Sequence, residues 1–124
     1  MRIYRERFQA SAQLAAPYVM LGVNVVAAET DDEAQFLASS GRESIASLRA
    51  GRPTQLPPPS REWMREEPAD PLQRTRVSFI GSAATVHQQL DEFIARTGAD
   101  EVIVTSHIYD HRARLQSYEL TAAR

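Results

Sequence analysis

The residues with chemistry to offer are few and sit near the end of the chain. In "HIYDH", His107 and His111 are four apart with Asp110 between them, a spacing that superficially resembles a pair of metal ligands. Two imidazoles at i and i+4 converge only on a continuous helix. The segment instead reads as a strand-to-helix turn with Asp110 as the helix cap, so no metal site is expected. His107 follows an apolar run, where an imidazole could reach a pocket and titrate near neutrality. The alternative is a loop histidine bonded to backbone. Upstream, "GS" at Gly81–Ser82 opens a helix, and free N–H groups at a helix start suit an anion. Ordinary capping by Ser82 accounts for the same residues. Trp63, the single tryptophan, either closes over a bound molecule or anchors the loop in which it lies.

Composition excludes several classes of function. The chain has 124 residues, 43% hydrophobic and 24% charged, with a formal net charge of −2. That is one ordinary globular domain. It has no basic face for nucleic acid or an anionic membrane. The absence of cysteine removes disulfides, thiolate metal sites and a cysteine nucleophile. No stretch has the roughly 18 apolar residues of a membrane span. The N-terminus "MRIYRERFQAS" lacks an apolar signal core, so a cytoplasmic location is expected.

The elements that would position these residues follow from periodicity. "IYRERFQAS" has Ile3, Tyr4 and Phe8 on one helical face but is short. "PYVMLGVNVVAAE", Pro17 to Glu29, is apolar throughout except for Asn24, as in a parallel strand covered on both faces. A helix follows, capped by Thr30 or Asp31, with Ala34, Leu37, Ala38, Ile45 and Leu48 as its stripe and Gly51 as its stop. Its acidic start needs no further role. Residues 51–76 hold six of the seven prolines and form a long loop, of the length that marks a mobile lid or a disordered segment.

Regularity returns with the strand "VSFIG". A helix capped by Ser82 comes next, with Val86, Leu90, Phe93 and Ile94 as its stripe and Gly98 at its end. The strand "DEVIVTS" has a buried Val102–Ile103–Val104 centre. The last helix starts at Asp110 and packs through Leu115, Tyr118 and Ala122. Alternating strands and helices predict βαβ units and a parallel sheet. Three strands leave two open edges and too few helices to cover both faces. Such a sheet is expected to be an incomplete fold.

The segments "YRERFQAS", "YVMLGVNVVAAETDDEAQ", "FIGSAATVHQQLDEFIARTGADEVIVTSHIYDH" and "RLQSYEL" resemble the C-terminal portion of the bacterial luciferase-like, flavin-dependent monooxygenases. The resemblance covers nearly the whole of residues 1–124 and is strongest at "ARTGADEVIVTS" and "IYDHRARL". It implies an α/β fold: a partial (β/α)8 TIM barrel, in which this chain supplies the last three β/α units and a long proline-rich loop. Such barrels need roughly 250 residues. The family oxidises small organic substrates with reduced flavin and molecular oxygen. Flavin mononucleotide is the implied cofactor, with a deazaflavin left open. Because most flavin-gripping residues come from upstream strands, the chain alone is expected to bind none and to be inactive.

One departure from the family pattern is that "GSAA" replaces the usual Gly-Ser-Pro-Glu at the helix start. In a barrel, chemistry collects at the C-terminal ends of strands. Those positions here give Glu29, Thr105, Ser106, His107 and Tyr109 as flavin- or substrate-facing candidates, Gly81 and Ser82 as the anion-binding candidate, and Trp63 as the lid candidate, with no catalytic residue assigned. Tyr109 either stacks on a ring or covers the rim. The expected partners are a complementing barrel chain or a second copy, and a small-molecule substrate once the ring is complete. The competing expectation is a non-enzymatic, self-associating module.

Overall fold

Local chemistry sets the element boundaries. The computed structural model describes residues 1–64 and 77–123. The elements run α1 (Arg2–Arg7), β1 (Met20–Ala28), α2 (Asp31–Arg49), a 3-10 turn (Arg61–Trp63), β2 (Ser78–Ser82), α3 (Ala83–Thr97), β3 (Glu101–Thr105) and α4 (His111–Ala122). The side chains of Thr30, Ser82 and Asp110 accept from the N–H groups of Glu33, Thr85 and Ala113, capping α2, α3 and α4. Gly98 ends α3 with φ of 59°, a left-handed conformation that glycine adopts without cost. Residues 51–64 run irregularly to the 3-10 turn, and the rest of the expected proline-rich loop lies outside the described residues.

The three strands form one parallel sheet in the order β2-β1-β3. Asn24 to Ala28 pair with Ser78 to Ser82, whereas Met20 to Asn24 pair with Glu101 to Thr105. Each flanking strand therefore covers only half of β1, the upper half by β2 and the lower half by β3. Consecutive strands of a closed β/α ring lie side by side in chain order. Here β1 stands between the other two, an order that differs from the one the last three strands of a ring would take. On the second edge of β1, β3 sets Val102 and Val104 against Leu21 and Val23.

Successive strand residues point to opposite faces, and the two faces are covered by different helices. On one face, Val23, Val25, Ala27 and Phe79 pack with Val86, Leu90 and Phe93 of α3, joined by Leu120 of α4. On the other, Val26 and Ala28 pack with Ala34 and Ala38 of α2 and with Ile108. Helices α2, α3 and α4 thus reach both faces, contrary to expectation, but α2 covers only the upper part of its own. Below it, Gly22 and Met20 are exposed, as are Glu101, Ile103 and Thr105 of β3.

Several expected contacts differ for this reason. Ile103 was expected in a buried centre but is 48% exposed, because no helix among the described residues lies over its side of β3. Leu48 lies beyond the sheet and is exposed too. In α4 the buried side chains are Ser117 and Thr121, while Leu115, Tyr118 and Ala122 face outward. The helix has turned its hydroxyl side inward because Ser117 Oγ accepts from the buried Ala27 N–H at 2.9 Å. That strand amide lies beyond the end of β3 and would otherwise be orphaned.

Candidate functional site

The strand ends do not form one level rim. Glu29 and Ser82 stand together above β1 and β2, since Ala28 pairs with Ser82. Thr105 pairs with Asn24, four residues lower on β1, which is roughly 13 Å at strand rise. The expected residues therefore fall into two groups.

The upper group centres on Asp31, which the sequence offered only as a helix cap. Its Oδ1 accepts from the Ser82 N–H at 2.6 Å. Ser82 Oγ lies 3.1 Å from Thr85 Oγ1. The Ser82 N–H holds the Asp31 carboxyl below the usual aspartate value, helped by a hydrogen bond to the Thr85 side chain and opposed by partial desolvation. Asp31 thus opens α2 and also places its charge at the start of α3, where the helix dipole favours an anion. A Cβ on Gly81 would come within 2.7 Å of both Asp31 Oδ1 and Thr85 Cγ2. Gly81 is there because this approach leaves no room for a side chain. At Gly81–Ser82, the position expected to suit an anion, the Ser82 N–H is taken by the Asp31 carboxylate. Beside it, Gln116 Nε2 of α4 donates to Glu29 Oε1 at 2.7 Å.

The lower group centres on Asn24, the one polar residue in the apolar run. Its Oδ1 accepts from the His107 N–H at 3.3 Å, and its Nδ2 donates to Ser78 Oγ at 3.4 Å. Asn24 so ties all three strands together on the half-open face. Thr105 Oγ1 donates to the Val23 carbonyl at 3.2 Å. His107 is exposed and sits by α2, where a Cβ on Gly41 would lie 3.5 Å from its own Cβ. Ser106 is buried and directs its hydroxyl to Ser117 Oγ at 3.4 Å, away from this face. Tyr109 is 55% exposed. His111 Nδ1 lies 3.0 Å from the Arg114 guanidinium. Among the described residues, no three His, Asp or Glu side chains are placed to share a metal ion.

Trp63 belongs to a third region. The Arg42 guanidinium of α2 donates to the carbonyls of Trp63 and Met64 and to Gln35. Ser39 Oγ accepts from the Ser60 N–H at 2.8 Å. These contacts fasten residues 60–64 to α2, so the tryptophan's backbone is anchored. A recess of about 620 Å³ lies beside it, lined by Asp32, Glu33, Phe36, Arg61, Glu62 and Met64. None of the residues expected at the site lines this recess.

No protein-family model matches the chain. A luciferase-like monooxygenase of Escherichia coli strain K12 is 37% identical over 124 residues, which are 97% of this chain and 37% of that protein. YvbT of Bacillus subtilis strain 168 is 34% identical over 98% of this chain and 38% of its own length. The chain is a relative of the luciferase-like monooxygenases. It spans well under half the length of the relatives it matches, consistent with their C-terminal portion. Among solved structures, the crystal structure of apo-MsnO8 matches 96% of this chain and 38% of its own, with a TM-score of 0.81 and 34% identity. No helix among the described residues is long and apolar enough to cross a membrane.

Proposed function

We propose that this chain acts as the C-terminal β/α portion of a luciferase-like monooxygenase barrel, which oxidises a small organic substrate with reduced flavin and O2. It does not catalyse alone. The observation that carries this reading is the identity of 37% along 97% of the chain with a protein named for that activity. Two features of the chain support it. The half-open face of the sheet presents Asn24, Ser78 and Thr105, polar groups suited to lining an interior that further strands would enclose. Among the described residues no strand lies beside the outer edges of β2 and β3, and edges of this kind attract pairing.

The described residues do not fit a flavin phosphate. Gly81–Ser82 is taken by the Asp31 carboxylate, and the half-open face carries amide and hydroxyl groups without a guanidinium. The phosphate grip then belongs to strands outside this chain, and no chemical step is assigned to residues within it. The partner is a complementing barrel chain. In its absence the open edges favour a second copy, which is the self-associating reading. Titration of flavin mononucleotide fluorescence separates the outcomes. The chain alone should leave it unchanged, and the chain mixed with the unmatched part of the Escherichia coli relative should quench it. Flavin-dependent oxidation by the chain alone would overturn the proposal.

A further inference from the structure

The two edges of β1 are held by different means. In a parallel ladder, the N–H and C=O of one residue serve the same neighbour and successive residues alternate sides. The Asn24 N–H donates to the Val77 carbonyl, so Asn24, Val26 and Ala28 serve β2. The Val19 carbonyl accepts from Asp100, and the Ala27 N–H donates to Ser117, so Leu21, Val23 and Ala27 serve β3 and α4. On the β2 side, Phe79 stacks edge-on against Phe93 at 5.5 Å, and fully buried Val25 and Val86 fill the space between strand and helix. On the other side, Val102 and Val104 are only half-buried, Ile103 is exposed, and α4 docks through hydroxyls with Leu115 and Tyr118 outward.

We infer that β3 and α4, residues 99–123, are a detachable unit that leaves β1 as one piece and so frees the second edge of the central strand. Elements with few buried apolar contacts open well below the free energy of global unfolding. This unit buries one apolar side chain fully, Ile108, while Val102, Val104 and Leu120 are only partly buried, and it carries its own internal hydrogen bonds with it, including Asp110 to Ala113 and Ser117 to Thr121. One consequence rests on the barrel reading above. A ring that keeps chain order seats β3 on the outer edge of β2 and gives the vacated edge of β1 to the strand before it.

Native-state hydrogen exchange on the intact chain tests the inference without flavin or partner, so it can fail while the barrel reading stands, and the reverse. The amides of Leu21, Val23 and Ala27 should exchange at least about tenfold faster than those of Asn24, Val26 and Ala28, the equivalent of ~1.4 kcal/mol. Equal rates for both sets would overturn it. Ser117→Ala leaves the buried Ala27 N–H without its acceptor, and an orphaned buried donor is destabilising. The variant should accelerate the Leu21, Val23 and Ala27 set about tenfold and leave the other set unchanged. No change, or equal acceleration of both sets, would overturn the inference.

Discussion

The β1–β2–α3 side of the sheet and the β3–α4 side are built from the same kinds of element, yet they are stabilised differently. The first interlocks branched and aromatic side chains and seals its helix start with the Asp31 carboxylate. The second has an exposed isoleucine in its strand and a helix whose buried residues are Ser117 and Thr121, with Leu120 only partly buried. Parallel strands need cover on both faces and neighbours on both edges to reach the burial of Val25, which is 0% exposed. Where either is missing, hydroxyls replace methyl groups as the inward-facing surface. The comparison teaches that a sheet side short of cover shows it in the polarity of what docks there.

The contrast can be broken most severely in the first region. Phe93→Ala removes a ring that packs on Phe79 and should lower unfolding free energy by about 3–5 kcal/mol in urea titration. Gly81→Ala forces a methyl group against Asp31 and Thr85 and should cost about 1–3 kcal/mol by the same measurement. The acid limb of stability sharpens the picture further. The Asp31 pKa is depressed in the fold, so its contribution is present above the ordinary value of 3.8 and is lost as pH falls through the folded value. Asp31→Asn should flatten that limb and leave the neutral-pH fold intact by circular dichroism. In the second region, Leu115→Ala and Tyr118→Ala should each change stability by no more than about 0.5 kcal/mol, because both side chains already face water.

What was legible in the sequence was what depends on near neighbours. Thr30, Ser82 and Asp110 act on N–H groups three residues away, and Gly98 satisfies a purely local need for positive φ. The stripe of Val86, Leu90 and Phe93 was readable for the same reason. Strand order and the docked face of α4 were not, because they depend on which edges and amides remain open after the rest has folded. Leu115 and Tyr118 have ordinary helical spacing, and only the orphaned Ala27 N–H explains why Ser117 faces inward instead. Of the site, Gly81–Ser82 was read as a candidate anion position, and the carboxylate that accepts from the Ser82 N–H lies 51 residues away in sequence. Asn24 did carry a signal: a lone amide in an apolar strand must find partners, and it finds them in Ser78 of β2 and in the His107 N–H just beyond β3.

The account's central claim is that this sheet requires strands beyond its own three, and sedimentation velocity across the micromolar range tests it most directly. The account predicts concentration-dependent assembly of the isolated chain, reversed when the unmatched part of a relative is added to complete the ring. A well-folded monomer at every concentration, indifferent to that addition, would contradict it.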